Sequence, residues 1–459
     1  MYYLRNVYST RSMCAALLDA VCLLFAFGLS WFLIQPPMPG IAYAALAGVS
    51  VGLSGTVLFF NDSYQPPTLG DSRKTTASIL ATMGLGMAAA LFLYFGITVP
   101  GGVVPTLASI AAIFFPLLIV ERMIFRLALG AKLFTTKLVV IGATDLGLRI
   151  AELLHERRDT GIHLIGFLSD DIAVQEHGIT IGDFPVIGRV HQLEKVLADR
   201  RVDYIVVASK DRHEHFPETT LIKAKMRGIR VESGVSFLER LSGKVYMRDL
   251  RPSYLIFGQT FARGLSYRTL QRGVDLIGAS VLLVLSLPAL CLAALAIKLE
   301  SPGPALYQQQ RLGKDDKPFM MNKLRSMRED AESESGPVFT SDEDDRVTRV
   351  GYFIRRTRLD ELPQLWNVLR GEMSLVGPRA ERPEFVEILS DNYRYYNLRT
   401  SVRPGITGWA QTRFGYVNNV EAYEEKLALD LYYLKHRSLL LDVTILAQTV
   451  KTVLHFRGI

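Results

Sequence analysis

Residues 276–297 read LIGASVLLVLSLPALCLAALAI, 22 consecutive residues without a charge. About 20 apolar residues are enough for a helix to cross the hydrocarbon core of a bilayer, so on length alone this stretch spans. Its flanks argue otherwise. Arg268 and Arg272 precede it and Lys298 follows, and positive charge at both ends favours the cytoplasmic side for both. Pro288 lies near the middle, where it removes a backbone donor and disfavours a straight helix. A kinked helix that enters and leaves by the same face satisfies both observations. The competing reading is an ordinary span kinked at Pro288.

Working outward, four further apolar stretches occupy the first 130 residues: Met13–Ile34, Ile41–Phe60, Thr75–Ile97 and Val103–Phe125. Each is close to the length of a membrane helix. Arg5 and Arg11 precede the first, Arg73 and Lys74 separate the second from the third, and Arg122, Arg126 and Lys132 close the fourth. The intervening loops QPPMPG and VPGGV carry no charge. This asymmetry places both ends of a four-helix unit, residues 1–132, in the cytoplasm. The first stretch has no small-residue cleavage site before the next one, which argues against a removable signal peptide. The whole chain agrees: 459 residues, 49% hydrophobic, with an odd number of cysteines (Cys14, Cys22, Cys291), all in apolar segments. No disulfide framework, redox pair or zinc site is indicated. The net charge of +7 comes from residues that flank apolar segments or crowd the C-terminal motifs. Anionic lipid and phosphate account for it better than nucleic acid.

Residues 133–264 read as a soluble α/β domain. Lys137–Gly142, Gly161–Asp171, Val202–Ser209 and Gly228–Ser233 have strand composition with helical segments between them, the alternation of a doubly wound parallel sheet. The loop Gly142-Ala-Thr-Asp-Leu-Gly147 resembles a dinucleotide-binding turn, but Thr144 stands where the middle glycine of that fingerprint would be, which hinders close approach of a pyrophosphate. Asp170 or Asp171 at a strand end is placed to meet a ribose, yet acidic strand ends are also ordinary. A structural or regulatory module is the favoured reading.

Function is written most clearly in Tyr352–Arg379, YFIRRTRLDELPQLWNVLRGEMSLVGPR. Asp360-Glu361 follows Arg355, Arg356 and Arg358. It opens a short helical pattern (Leu362, Leu365, Trp366, Leu369) that Gly371 closes. Guanidinium groups and a helix N-terminus favour an ionised carboxylate and also bind phosphate. A carboxylate nucleophile among phosphate-binding cations is what attack on a phosphoryl group requires. The simpler alternative is that Asp360 caps the helix and the arginines are solvated.

The chain from Leu265 onward resembles the monotopic phosphoglycosyl transferases, bacterial enzymes that load a sugar 1-phosphate onto polyprenyl phosphate. The resemblance rests on SPGPALYQQQRLGKDDKPFMMNKLRSM (Ser301–Met327), the run around Asp360-Glu361, Leu375-Val-Gly-Pro-Arg379 and RPGITGWAQ (Arg403–Gln411). The sequence departs from the family pattern at Ala380, where a proline is usual, and at Ser286-Leu287-Pro288, where the serine of the membrane-helix Ser-Pro pair is displaced by one residue. The resemblance implies a membrane protein of α plus α/β class. It would have four N-terminal transmembrane helices, a Rossmann-like domain of the CoA- or nucleotide-binding type, and a mostly helical catalytic domain (265–459) whose re-entrant helix breaks at Ser286 and Pro288. It further implies catalytic Asp360 and Glu361, with Glu361 and Asp360 as ligands of Mg²⁺. Arg358, Arg379, Arg403, Lys323 and Arg325 would contact substrate phosphates. The partners expected are a UDP-sugar, polyprenyl phosphate and membrane lipids, with a homodimer allowed. The place expected is the bacterial inner membrane, multi-pass, with the catalytic domain in the cytoplasm.

Taken without the resemblance, Arg379 and Arg403 beside Pro and Gly are also consistent with surface arginines in turns. Lys323 and Arg325 read equally as headgroup contacts or solvated charges. The acidic run Asp342–Asp345 lacks calcium-loop spacing and reads as a solvated loop. Leu439–Phe456 suits an interfacial or core helix. A membrane-tethered nucleotide-sugar dehydratase would need an intact glycine loop and a Tyr-x-x-x-Lys pair, and the chain contains no such pair.

Overall fold

The computed structural model describes residues 10–35, 40, 103–130, 135–156, 161–170, 180–181, 183–209, 216–247, 250, 264–328, 346–414 and 420–454. The chain divides into two compact units, Met1–Leu241 and Ser242–Ile459.

In the first unit, helices α1 (Thr10–Ile34) and α2 (Val103–Gly130) coincide with the first and fourth apolar stretches. They pack through Leu23, Ala26 and Phe27 against Ile110, Phe114 and Leu118. Arg122, read above as a flanking topological charge, is instead buried. It donates to Asp19 at 2.7 Å and to its neighbour Glu121 at 2.9 Å. The arginine is neutralised inside the helix pair because a charge in an apolar setting needs a partner. The second and third stretches, Ile41–Phe60 and Thr75–Ile97, lie outside the described residues, as do Lys132, Asp171 and Asp342–Asp345. Among the described residues one helix, Leu265–Glu300 of the second unit, is long and apolar enough to cross a membrane.

The α/β part of the first unit contains a six-stranded sheet. Its strands are β1 (Thr136–Ile141), β2 (Ile162–Leu168), β3 (Thr180–Ile181), β4 (Phe184–Gly188), β5 (Tyr204–Val207) and β6 (Arg230–Ser233), in the order β3-β4-β2-β1-β5-β6. All neighbours run parallel except β3 with β4. Helices α3 (Asp145–Glu156), α4 (Leu193–Asp199), α5 (Glu218–Met226) and α6 (Gly234–Ser242) alternate with the strands. The four strands expected from sequence are present. β3 and β4 were not foreseen, because β4 is short and carries Pro185, which cannot donate to a ladder.

The winding direction reverses between β1 and β5, where a doubly wound sheet binds its ligand. Here Thr144 bridges that crevice: its hydroxyl donates to the Ala208 carbonyl at 2.8 Å and accepts from Gly147 N at 3.3 Å. Gly142, at φ +102°, and Gly147 serve close backbone approach, since an added Cβ would lie 2.7 Å from Ser209 N and 2.5 Å from the Gly142 carbonyl respectively. Asp170 accepts from Val190 N at 3.0 Å, which engages one of its oxygens at the start of the turn Val190–Gln192.

The second unit begins with α7 (Leu265–Glu300) and continues through a hairpin, β7 (Leu306–Leu312) and β8 (Pro318–Leu324). After it come α8 (Arg349–Arg356), a single 3₁₀ turn (Leu359–Glu361), α9 (Gln364–Arg370), β9 (Ser374–Val376) and α10 (Pro383–Asn392). A 3₁₀ stretch (Tyr396–Ser401), β10 (Gly405–Thr407), α11 (Trp409–Arg413), α12 (Val420–His436) and α13 (Leu439–Leu454) complete it. The hairpin qualifies the expectation of a mostly helical domain. Asp315 and Asp316 turn its corner at φ 55° and 58°.

Both ends of α7 dock on one short piece of chain. Near its start, Arg272 donates to the Val368 and Leu369 carbonyls at 2.6 and 2.8 Å, neutralising the C-terminus of α9. Near its end, Ala293 and Ile297 pack with Leu324, Ile354 and Leu359. A straight helix from Arg272 to Ile297 is about 37 Å long, whereas the helical path from Leu359 to Val368 covers at most about 18 Å. The two contacts favour a bend in α7 between them, and Pro288 lies in that interval. Ser286 Oγ donates to the Leu283 carbonyl at 3.1 Å, a local bond of the kind that bends helices. Val281, Val284, Leu285, Leu287 and Leu292, around the bend, are exposed.

The parallel pair β9–β10 joins the Gly-Pro-Arg and Arg-Pro-Gly motifs. Gly405 N donates to the Pro378 carbonyl at 2.9 Å and Gly377 N to the Thr407 carbonyl at 2.9 Å. A Cβ on Gly405 would lie 2.1 Å from Gly377 N, and one on Gly408 would lie 2.2 Å from the Gly377 carbonyl. These are backbone atoms that cannot yield. Gly405→Ala should therefore destabilise the protein by at least about 2 kcal/mol and depress activity with it, measured as a fall in melting temperature. An unchanged melt would mean the two turns are not clasped as described.

Candidate active site

Asp360 is placed by a sequence of local constraints. Thr348 caps α8 by accepting from Gly351 N at 2.9 Å, and Glu300 at the end of α7 accepts from Arg349 N at 2.9 Å and Val350 N at 3.1 Å. Gly351 lets α8 press on the chain after β8, where a Cβ would meet the Ser326 carbonyl at 2.0 Å. Arg355 donates to Ser326 Oγ at 2.9 Å. α8 then stops, and Arg358 reverses the chain in the left-handed region, φ 59°. A non-glycine residue there costs about 1–2 kcal/mol. Leu359 turns inward onto α7, and the next two residues, Asp360 and Glu361, are 8% and 7% exposed.

The sequence placed Asp360 at the mouth of a helix, and the structure corrects this. Asp360 sits in the 3₁₀ turn, and α9 starts only after Pro363 and ends at Gly371, φ 86°. Proline favours the first position of a helix because it has no N–H to leave unpaired, so it moves the helix start past the acidic pair. Asp360 caps nothing.

Lys323 on β8, Arg358 and Arg379 converge on the pair. Arg379 donates to Glu361 Oε1 at 3.0 Å and Arg358 to Oε2 at 3.4 Å. Burial alone would raise the Glu361 pKa, but Arg379, Arg358 and Lys323 outweigh it and hold the carboxyl down to about 2. Asp360 goes the other way. Burial, with the Glu361 charge added, pushes it up to about 6 against Lys323, Arg355 and Arg358. The expectation that the arginines hold Asp360 ionised thus fits its neighbour better. Asp360 Oδ1 is buried and has no hydrogen-bond partner among the described residues. Burial and the nearby Arg379 lower Lys323 to about 8.

The other residues singled out from sequence have different surroundings. Arg325 donates to the Ser301 carbonyl at 2.9 Å and Ser301 Oγ at 3.0 Å, and also to the Pro302 carbonyl, locking the turn where α7 ends. Arg403 is exposed on the turn clasped to that of Arg379. Sequence reasoning missed Asn367, whose buried amide accepts from Asn322 N and Nδ2 at 3.1 and 3.0 Å and donates to the Met320 carbonyl at 2.7 Å, fixing β8 beside Lys323. It also missed Arg311, which donates to the Ala380 carbonyl at 3.3 Å. Arg311 lies inside the motif Ser301–Met327 and was within reach of that signal; Asn367 gave none.

No group of three or more His, Cys, Asp or Glu side chains converges among the described residues. Mg²⁺ commonly takes only one or two carboxylates and completes its shell with water and substrate phosphate. Asp360 has an uncommitted oxygen, and a carboxylate has about four lone-pair sites, so Glu361 retains capacity beside its two guanidinium contacts. The residues fit such an ion.

Opposite shifts at adjacent carboxylates give opposite stability effects. An Asp in the unfolded chain titrates near pH 3.9, so the ionisation of Asp360 opposes folding. That cost is absent below about pH 4 and complete above about pH 6. Glu361 contributes stability that is present above the unfolded value, near 4.3, and is lost as pH falls toward 2. At pH 8, Asp360→Asn should melt above the parent chain, by on the order of 1 kcal/mol or more, and Glu361→Gln below it. The gain from Asp360→Asn should fade by pH 4.5. A destabilised Asp360→Asn at pH 8 would contradict the site as described.

Residues 266–456 match the family model described as bacterial sugar transferase, and residues 60–214 match the one described as CoA-binding domain. A UDP-N-acetylgalactosamine-undecaprenyl-phosphate N-acetylgalactosaminephosphotransferase of Aeromonas hydrophila is 39% identical over 272 residues, 59% of this chain and 61% of that protein. A UDP-glucose:undecaprenyl-phosphate glucose-1-phosphate transferase of Caulobacter vibrioides is 45% identical over 192 residues, 40% of this chain and 69% of the relative. An exopolysaccharide production protein of Rhizobium leguminosarum bv. phaseoli is 42% identical over 191 residues, 39% of this chain and 93% of its own length. The match thus spans under two thirds of the Aeromonas protein and nearly all of the Rhizobium one. With Lys323, Asp360, Glu361, Arg379 and Arg403 all inside the matched region, this chain belongs to the bacterial sugar transferase family.

Proposed function

We propose that the protein transfers a sugar 1-phosphate from a UDP-sugar to polyprenyl phosphate (undecaprenyl phosphate) and so starts assembly of a surface polysaccharide. The observation that carries this reading is a buried carboxylate with one uncommitted oxygen, Asp360, near Lys323, Arg355 and Arg358 and beside Glu361, which Arg379 holds. The relatives named for undecaprenyl phosphate and for exopolysaccharide support it.

In the first step a carboxylate oxygen of Asp360 attacks the sugar-bearing phosphorus. The bond from that phosphorus to the bridging oxygen breaks, and UMP leaves with the electron pair. Polyprenyl phosphate then attacks the phosphorus of the aspartyl phosphosugar, frees the carboxylate and yields polyprenyl-diphosphate sugar. Two displacements at one nucleophile are covalent catalysis and imply ping-pong kinetics. Arg358, Arg379 and Lys323 carry the charge that develops on the phosphoryl oxygens. A Mg²⁺ ion held by the Asp360–Glu361 pair and the diphosphate would neutralise charge on the donor. Glu361, held ionised near 2, is a weak base at neutral pH, so the role assigned to it is that of metal ligand and charge partner.

The bend in α7 and its exposed apolar residues support a re-entrant helix that keeps Asp360 at headgroup level, within reach of a lipid phosphate. The wider assignment is a multi-pass protein of the bacterial inner membrane with four N-terminal transmembrane helices and a cytoplasmic catalytic domain. It rests on the charge pattern along the sequence.

Two experiments test this. After mixing with UDP-sugars and Mg²⁺ without lipid acceptor, the intact mass of the chain should rise by one sugar phosphate. Asp360→Asn should abolish that adduct and turnover, and Glu361→Gln should leave at most a small fraction of either. A normal adduct on Asp360→Asn would exclude it as nucleophile. Scoring UMP release across UDP-glucose, UDP-galactose and UDP-N-acetylgalactosamine identifies the sugar. For topology, Leu265→Cys and Leu299→Cys, both at exposed positions, in an otherwise cysteine-free chain should be labelled from the same side of the membrane. Labelling from opposite sides would replace the re-entrant helix with a span.

A further inference from the structure

Cations from three elements hold three successive residues starting at Arg379, two of them at main-chain carbonyls and the third at its side chain. Arg399, in the stretch Tyr396–Ser401, donates from Nη2 to the Arg379 carbonyl at 3.1 Å. Arg311 on β7 donates to the Ala380 carbonyl at 3.3 Å. Lys426 on α12 donates to Glu381 Oε1 at 2.6 Å. Arg399 is itself fixed. Its Nε donates to Asp430 Oδ2 at 2.7 Å and its Nη1 to the Tyr396 hydroxyl at 2.6 Å. Arg399, Asp430, Glu381 and Tyr396 are all buried. Each nitrogen of the guanidinium serves a different residue, and none meets the acidic pair directly.

We infer that Arg399 is a positioning residue, which sets the Arg379 backbone so that its guanidinium meets Glu361. Residues 377–382 form no helix or strand; main-chain bonds hold Gly377, Pro378 and Glu381 on either side, and between them the carbonyls of Arg379 and Ala380 take side-chain donors. Its neighbour is Ala380, whose φ no ring constrains. The only polar holds on the carbonyls of Arg379 and Ala380 described above are those from Arg399 and Arg311. A buried ion pair such as Arg399–Asp430 is weak evidence for stability, because desolvation offsets its Coulomb gain. Its geometry fits a positioning role better: Asp430 on α12 aims a planar fork that reaches a main-chain oxygen 20 residues before it. The Arg379 side chain continues the path to Glu361 at 3.0 Å, beside Asp360.

This inference rests on the proposed transferase reading, and a double-mutant cycle tests it. UMP release from the active UDP-sugar is measured for the parent, Arg399→Lys, Arg379→Ala and the double variant. Lysine keeps the charge opposite Asp430 but has no fork to serve Asp430, Tyr396 and the Arg379 carbonyl together. Arg399→Lys should lower kcat by about 10- to 100-fold, with KM changed by less than about threefold. In the Arg379→Ala background the same substitution should cost less than about twofold, since residues that act as one unit are not additive. Equal losses in both backgrounds would overturn the inference and leave Arg399 a structural residue. If Arg399→Lys fails to fold, Arg399→Met with Asp430→Leu removes the pair without stranding a charge and serves in the same cycle. Turnover in the parent with additive losses defeats the positioning role alone. No UMP release by the parent from any UDP-sugar defeats the functional reading and this inference with it.

Discussion

Two adjacent carboxylates buried side by side constrain everything around them in the second unit. Charges taken out of water must be compensated, and two neighbours of like sign raise each other's proton affinity. The protein compensates one of them. Glu361 has two guanidinium partners and stays ionised to low pH, while Asp360 keeps an oxygen without a hydrogen bond and titrates higher. Of the two acids, Asp360 is the one left with an oxygen that no donor engages, and a lone pair already engaged by a donor is a poorer nucleophile.

Holding this arrangement takes contributions from far apart in the chain. Lys323 comes from a strand fixed by the Asn322–Asn367 bonds, Arg358 from a strained reversal, and Arg379 from a loop clasped through Gly377, Gly405 and Gly408. α7 touches the same platform at both ends, through Arg272 on α9 and through Ile297 on the cluster that also packs Leu359. The apolar helix and the acidic pair are therefore mechanically one object.

The first unit works on a different principle. At the switch point of its sheet, where an α/β domain of this kind offers a phosphate site, the Thr144 side chain lies across the opening and the glycines serve backbone closure. Asp170 is engaged by Val190 N. The family model described as CoA-binding covers this sheet in part, and the fold is the one that description implies.

Much of this was legible in the sequence because it is encoded locally. Apolar runs of about 20 residues, positive flanks, alternation of strand and helix, and the grouping of Arg355, Arg356 and Arg358 before Asp360-Glu361 need no knowledge of what lies opposite in space. Pro288, inside the long apolar helix, was legible in the same way, through one missing donor. What the sequence misassigned depends on partners distant along the chain. Arg122 looked like a topological charge until Asp19, 103 residues earlier, was found against it. The bonds of Arg325 to the Ser301 turn, 24 residues earlier, were likewise invisible along the sequence. Which member of the acidic pair stays ionised was decided by Arg379, 18 residues from Glu361, and the aim of Arg379 by Arg399 and Asp430. Sequence by itself pointed to the class of chemistry and gathered the charged groups into a few motifs. Only the tertiary structure decided which charges meet, because Coulomb and hydrogen-bond energies depend on separation in space and on burial, and neither can be read from spacing along a chain.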